Sequence, residues 1–102
     1  MTTSYIVRAQ LVDPAVRDAF EKWYQEEHLS DAVKAFGARR AWRGWSEVEQ
    51  DVHYAVYEFD DLATVQALPG SPASDAMVAE FDRHWDGKVT RSRDVVQSIQ
   101  EI

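Results

Sequence analysis

The chain has 102 residues, of which 45% are apolar, so it can build one hydrophobic core and is too short for two. It carries 11 Lys and Arg against 18 Asp and Glu, and the net charge of −7 argues against nucleic acids and anionic membranes as partners. The absence of cysteine excludes disulfides, thiolate nucleophiles, and zinc–thiolate and iron–sulfur sites.

Neither a signal segment nor a membrane span is predicted. The N-terminal residues lack a basic region followed by an apolar run. No stretch approaches the roughly 20 apolar residues that a spanning helix needs. We therefore expect one cytoplasmic domain over residues 1–102.

The first half of the chain is predicted to fold as strand, helix, strand. Residues 5–12 have strand-like apolar alternation, and Asp13-Pro14 is typical of a helix start. The predicted helix runs to about residue 28, and a second, short helix covers residues 31–36 and ends at Gly37. Residues 38–48, rich in Trp and Arg, predict the second strand.

The second half repeats this order. Residues 52–59 predict a strand, joined to the previous one by a short polar connection, and a short helix follows over residues 61–68. Pro69-Gly70-Ser71-Pro72 interrupts the chain before a helix over residues 74–87 and a last strand over residues 94–99. The order βαββαβ predicts a ferredoxin-like α+β fold, a four-stranded antiparallel sheet with its helices on one face.

The alternation along the strands predicts which sheet face is covered. One face is uniformly apolar and suits the helices, with Val7, Ala9 and Leu11 on the first strand. The other face mixes apolar with polar side chains, namely Ile6, Arg8, Gln10, Tyr54, Val56 and Glu58. A bare face of this kind predicts an interface, so we expect a homodimer that joins two sheets into an α+β barrel. The alternative is an ordinary solvent-facing sheet surface.

Four segments, in order, carry a resemblance to a known family. The run WYQEEHLSD over residues 23–31 resembles the W-Y-x-E-E-H-L-P-[DE] stretch of the dimeric α+β-barrel superfamily, close to its EthD-like and stress-responsive groups. FGARRAWR at 36–43, YAVYEF at 54–59 and SPA at 71–73 fit the same pattern. Ser30, Phe36 and Trp42 stand where the pattern usually has Pro, Pro and Arg. The resemblance implies the same fold, and functions that range over isomerases, cyclases, monooxygenases and haem-binding enzymes.

His28 is the leading candidate for chemistry. It lies in the segment of clearest resemblance, where an imidazole at the mouth of a cavity could transfer a proton. Arg8 and Glu58 are predicted to act with it as catalytic residues in one cavity. The carboxylates of Glu26 and Glu27 would favour its charged form. The alternative is a helix-terminal histidine that bonds the last carbonyls.

Four further residues are predicted to bind a substrate, Tyr24, His53, Tyr54 and Trp42. No metal site is expected, because Glu26-Glu27-His28 with Asp31 lacks a recognised ligand spacing. No cofactor is expected either. A haem on His84 is disfavoured, because acidic residues flank it and the chain has no Asn, the usual partner in the haem-oxygenase pattern.

The sequence therefore predicts a homodimer that binds a small hydrophobic or aromatic metabolite in a cavity between sheet and helices. The leading function is a cofactor-free isomerase- or cyclase-type enzyme with proton transfer at His28. One alternative is a non-catalytic, stress-associated binding protein. A second alternative is a monooxygenase of the antibiotic-biosynthesis or haem-degrading type.

Overall fold

A four-stranded antiparallel sheet forms one layer of the molecule, which a computed structural model describes over Met1–Ile102. Its strands are β1 (Thr3–Leu11), β2 (Arg40–Trp45), β3 (Val52–Phe59) and β4 (Val89–Gln97). They lie in the order β2-β3-β1-β4, and each neighbouring pair is antiparallel. The predicted ferredoxin-like topology is confirmed.

The helices form the second layer. After a short 3₁₀ turn (Pro14–Val16) come α1 (Arg17–Trp23) and α2 (Leu29–Phe36), and the second half contributes α3 (Leu62–Gln66) and α4 (Pro72–Trp85). Side chains cap three of the starts, since Asp13, Asp61 and Ser71 accept hydrogen bonds from backbone N–H groups two or three residues on. None of these helices is long and apolar enough to cross a membrane.

The helix does not break near residue 28, where the sequence predicted an end and a restart. Instead, Tyr24–His28 forms a π-helical turn that joins α1 to α2 without interruption. The N–H of Leu29 donates to the carbonyl of Tyr24, five residues back. A π turn accommodates one extra residue per turn, so it shifts which side chains face inward without ending the helix. Gly37 ends α2 in the left-handed conformation, as predicted.

The sheet faces divide as the alternation predicted. On β1 and β3 the helix-facing positions are buried apart from the half-buried Tyr5, and Val7 lies opposite Ala55 in the register. The predicted core residues on the helices are also buried, namely Phe20, Trp23, Phe81 and Trp85. The ring of Phe20 contacts those of Trp23, Trp85 and Phe81 at centroid distances of 5.2–6.4 Å. The core is thus an aromatic cluster between sheet and helices.

Two strands, β2 and β4, differ most from their predicted ranges. β2 spans Arg40–Trp45 and is shorter than the expected 38–48. β4 begins at Val89, well before the expected residue 94. Arg91 and Arg93 occupy two helix-facing positions of β4 between Val89 and Val95, because they pair with Ala9 and Val7 across the sheet. Charged residues on the inward face concealed the apolar alternation on which the prediction depended.

Candidate functional site

A cleft lies between the sheet and the helices at the β4 edge. Its outer chamber, of about 710 Å³, opens between β1, β4, α3 and α4 and is lined largely by apolar side chains, among them Leu62, Val65, Leu68, Val78 and Val95. Its inner chamber, of about 20 Å³, continues toward the centre of the sheet and is bounded by Tyr24, His28, Tyr57 and Arg91. Tyr5, Ser74, Val78 and Arg93 belong to the walls of both chambers. The outer volume is within the range of small-molecule sites.

His28 forms part of the inner chamber wall. It is the last residue of the π turn, is only 6% exposed, and stacks on Trp23 at a centroid distance of 4.2 Å. The hydrogen bonds made by histidines in this chain belong to His53 and His84, so both ring nitrogens of His28 are unpartnered. Burial, with smaller contributions from the charges of Arg91 and His84, lowers the pKa of His28 to about 4. The imidazole is therefore neutral at pH 7.

This finding corrects the expected electrostatics of His28. Glu26 and Glu27 were predicted to favour its charged form, but both lie exposed on the outer side of the π turn. The charged group that acts on His28 from the chamber is the cationic Arg91, which disfavours imidazolium. The physical reason is the π turn, which directs His28 inward while the two glutamates face water.

Two phenols complete the inner chamber. Tyr24 and Tyr57 are both 1% exposed. Burial raises the pKa of Tyr24 to about 12, and burial together with the neighbouring Tyr24 raises the pKa of Tyr57 further above its usual range. Both remain neutral O–H groups at any ordinary pH. They can donate hydrogen bonds to an oxygen in the inner chamber, but they do not serve there as phenolate bases.

Two arginines supply positive charge to the cleft, and neither was predicted as a site residue. The Arg91 guanidinium lies 3.8 Å from the Phe81 ring centroid and donates to Asp82 at 3.0 Å. Burial lowers its pKa, yet a guanidinium remains protonated in proteins. Arg93 lines both chambers. The available signal was the period-two pattern from Val89 through these arginines to Val95.

The predicted site residues fall on both sides of the sheet. His28 and Tyr24 line the inner chamber, whereas Arg8, Glu58, Tyr54 and Trp42 lie on the opposite, open face. The expectation that His28, Arg8 and Glu58 converge on one cavity of the chain is therefore wrong. Successive strand residues point to opposite faces, so the side chain of Tyr57 reaches the chamber and that of Glu58 cannot.

On the open face, the two predicted catalytic charges are engaged elsewhere. Arg8 donates to Glu49 at 2.7 Å. Glu58 lies 3.5 Å from Arg39 and 3.9 Å from Arg40. Between these ion pairs is a shallow groove of about 360 Å³, bounded by Ile6, Trp42, Tyr54, Val56 and Val96 among others. Trp42 is 47% exposed there.

His53 faces the helices, as the alternation predicted, but it borders neither chamber. It is fully buried, and Arg43 Nη1 lies 3.3 Å from its Nε2, which selects the neutral tautomer protonated at Nδ1. Burial and then the charge of Arg43 lower its pKa to about 3. The same arginine forms a bidentate pair with Glu21, whose pKa it lowers to about 2. Trp45 also donates to Glu21, at 2.9 Å.

No other histidine forms a second site. The Nδ1 of His84 lies 2.9 Å from the carbonyl oxygen of Glu80 on the exposed side of α4, and this residue lines neither chamber, so it is not placed to ligate a haem in the cleft. The chain has no group of three His, Asp or Glu side chains that could hold a metal ion.

The structure is similar to several solved structures. HapK from Hahella chejuensis has a TM-score of 0.72 at 17% identity, and the match covers 97% of this chain and 94% of that one. An EthD family protein from Bacillus halodurans has a TM-score of 0.72 at 15% identity, over 97% and 100% of the two chains. The N63A mutant of SnoaB, a cofactor-independent oxygenase from Streptomyces nogalater, has a TM-score of 0.71 at 10% identity, over 99% and 96%.

These comparisons establish the fold. No protein-family model matches the sequence, and no curated protein matches it either. The chain shares the ferredoxin-like α+β fold of HapK, the EthD family protein and SnoaB, and the resemblance predicted from its motifs is confirmed at that level. Fold alone does not determine a reaction, so function has to be argued from the cleft.

Proposed function

We propose that this protein is a small-molecule enzyme that removes a proton from an organic substrate at His28 without a cofactor. The observation that carries the proposal is the state of this imidazole. It is neutral, it has no hydrogen-bond partner in the chain, and it borders a chamber that also contains Arg91. A neutral, unpartnered imidazole beside a fixed cation suits a base that generates an anion.

The proposed step breaks a C–H or O–H bond of the substrate. The proton moves to a ring nitrogen of His28, and the electron pair remains on the substrate as an enolate or phenolate. Arg91 and the hydroxyls of Tyr24 and Tyr57 then stabilise the anionic oxygen. The new anion offsets the charge of Arg91, which otherwise lowers the pKa of His28, so base and anion stabilise each other. Return of the proton to another carbon completes an isomerisation and restores neutral His28.

A second candidate function is an oxygenase that uses the same first step. One structurally similar protein is described as a cofactor-independent oxygenase. In this version a carbon of the substrate anion forms a bond to O₂, which accepts the electron pair and is reduced to a hydroperoxide as it takes the proton from His28, and oxygen uptake distinguishes the two reactions.

Proton exchange tests the proposal before the natural substrate is known. The protein is incubated in D₂O with a panel of phenols, lactones and enolisable ketones, and deuterium uptake at carbon is followed by NMR. We expect the wild-type chain to accelerate exchange for at least one compound, and His28→Gln to lose about 10²–10⁴-fold of that acceleration. His84→Gln is the matched control and retains it. Binding without exchange in the wild-type chain would instead support the non-catalytic alternative.

We also infer that two copies associate through the open sheet face. Trp42 and Val96 are about half exposed there, beside the largely buried Val56. The face has ion pairs near its ends, Arg8–Glu49 at one and Glu58–Arg39 at the other. An apolar centre with a charged rim is the usual composition of a protein interface. In such a dimer Arg8, Glu58, Tyr54 and Trp42 serve assembly, while each chain retains its own cleft.

A further inference from the structure

One charged residue of the cleft has no role in the proton transfer just described. Arg93 makes no ion pair, although the chain is strongly acidic. Every other arginine forms an ion pair with a carboxylate, namely Arg8, Arg17, Arg39, Arg40, Arg43, Arg83 and Arg91. In a chain with 18 carboxyl side chains, the arginine without one is therefore conspicuous.

Arg93 occupies the junction of the two chambers. It lies opposite Val7 on β1, faces the helices, and is one of the few residues in the walls of both chambers. Its surroundings in the outer chamber are mostly apolar. The acidic side chain of that chamber is Asp75, which forms no ion pair with Arg93. The guanidinium can thus offer its planar set of donors to a ligand.

The two volumes restrict how a ligand can lie. The outer chamber, of about 710 Å³, accepts a ring-sized apolar body, whereas the inner chamber, of about 20 Å³, admits about one oxygen-sized group. A ligand in the outer chamber that directs its reacting edge toward His28 passes alongside Arg93. A carboxylate at that point would form the two parallel hydrogen bonds that arginine makes best.

We propose that the cleft selects organic acids, in which an apolar ring system carries a carboxylate, and that Arg93 determines this specificity. The inference rests on the proposed function, because it names the substrate class for the same site. The carboxylate binds Arg93 at the junction, the apolar body lies against Leu62, Val65 and Val78, and the acidic C–H or O–H faces His28.

Matched acids and amides test the selection. Binding of 2-naphthoate and of its neutral analogue 2-naphthamide is measured by isothermal titration calorimetry at low salt, with wild-type protein and with Arg93→Gln. We expect wild-type protein to bind the acid at least tenfold more tightly than the amide. Arg93→Gln should abolish that preference while it leaves amide binding and the melting temperature unchanged. Arg83→Gln, which removes the same charge from the exposed side of α4, should preserve the preference.

Two results would overturn the inference. Equal affinity of wild-type protein for acid and amide would show that the junction does not distinguish a carboxylate from a neutral amide. A preference retained in Arg93→Gln would place the recognition elsewhere, for example at Arg91. Neither result depends on chemistry at His28. His28-dependent exchange that is equal for acids and amides would leave the proposed function standing without the inference. Selective, Arg93-dependent binding without exchange would leave the inference standing without the proposed reaction.

Discussion

At the scale of single residues, the cleft depends on titratable groups held away from their usual charge. His28 is neutral because it is buried among aromatic rings and because Arg91 disfavours a second cation. Tyr24 and Tyr57 are neutral because burial opposes the phenolate. These pKa shifts leave His28 able to accept a proton and keep Tyr24 and Tyr57 as hydrogen-bond donors. Such a division of roles is typical of acid–base sites.

The pKa of His28 predicts a pH profile for its chemistry. In the free protein the imidazole has a pKa of about 4, so it is in its neutral, proton-accepting form over the whole neutral range. We expect the second-order rate of deuterium exchange to be constant above about pH 5 and to fall below about pH 4, as measured by NMR across pH 3.5–8. A profile with its midpoint near 6.5, the usual value for histidine, would contradict the buried, neutral state.

The same shift predicts how stability depends on pH. In the unfolded chain His28 has a pKa near 6.5, so between about pH 6.5 and 4 the unfolded state binds more protons than the folded one. The part of the folding stability that depends on His28 is therefore greatest above pH 6.5 and decreases as pH falls toward 4. Protonation of His28 in the unfolded chain lowers the stability by roughly 3 kcal/mol at most over this pH range, since each pKa unit corresponds to about 1.4 kcal/mol.

A substitution isolates that contribution. His28→Phe removes the titrating group and breaks no hydrogen bond, because the ring nitrogens have no partner in the chain. The free energy of unfolding is measured in urea at pH 7 and at pH 5. We expect it to fall less between these two pH values in His28→Phe than in wild-type protein. The pKa of His53 is also lowered, to about 3, so part of the pH dependence should remain in His28→Phe.

At the scale of elements, the π turn Tyr24–His28 connects sequence and site. Phe20, Tyr24 and His28 are spaced four apart, and all three are buried. In a regular α-helix this spacing drifts around the axis, but the wider turn keeps the later side chains directed at the sheet. The aromatic side chains of α1 pack against the residues of this turn, so loss of packing there should affect both the stability of the fold and the shape of the inner chamber.

Phe20 is the sharpest test of that cluster. It is fully buried and its ring lies 5.1 Å from that of Tyr24 and 5.2 Å from those of His53 and Trp85. We expect Phe20→Ala to lower the free energy of unfolding in urea by about 3–5 kcal/mol. Glu27→Ala, on the exposed side of the π turn, should change it by less than about 0.5 kcal/mol. A loss of less than about 1 kcal/mol in Phe20→Ala would mean that this position can be repacked without a cavity.

At the scale of the whole molecule, the open sheet face is the surface through which we propose that two copies associate. One side of the sheet is covered by helices, and the other leaves Trp42 and Val96 partly exposed. Burying the apolar part of such a face in an interface stabilises the assembly by roughly 25 cal/mol per Å² of apolar surface. A small domain gains much from such burial, because so much of its surface otherwise remains wet.

Light scattering tests the assembly directly. At micromolar concentration we expect a mass of twice the 11.7 kDa chain. Trp42→Glu introduces a charge at the centre of the face and should yield monomers. Ala19→Glu introduces the same charge on the exposed outer side of α1 and should leave the dimer intact. A wild-type monomer at all accessible concentrations would remove the barrel interpretation.

The sequence by itself determined the order of elements, the sheet faces and the buried aromatic residues. Those features depend on local periodicity and on helix caps, which neighbouring residues in the sequence specify. Examples are the strand alternation around Val7, the helix start at Asp13-Pro14 and the helix end at Gly37. It also indicated His28 and Tyr24, which lie in the segment that resembles a known family.

Only the tertiary structure decided which residues share a cavity. The register of β4 beside β1 brings Arg91 and Arg93 to the chamber, and the π turn brings His28 to meet them from the opposite layer. The sheet itself keeps Arg8 and Glu58 away. Contacts between layers depend on long-range pairing and on one extra residue in a helical turn. A pattern read along a single strand or helix contains neither of these.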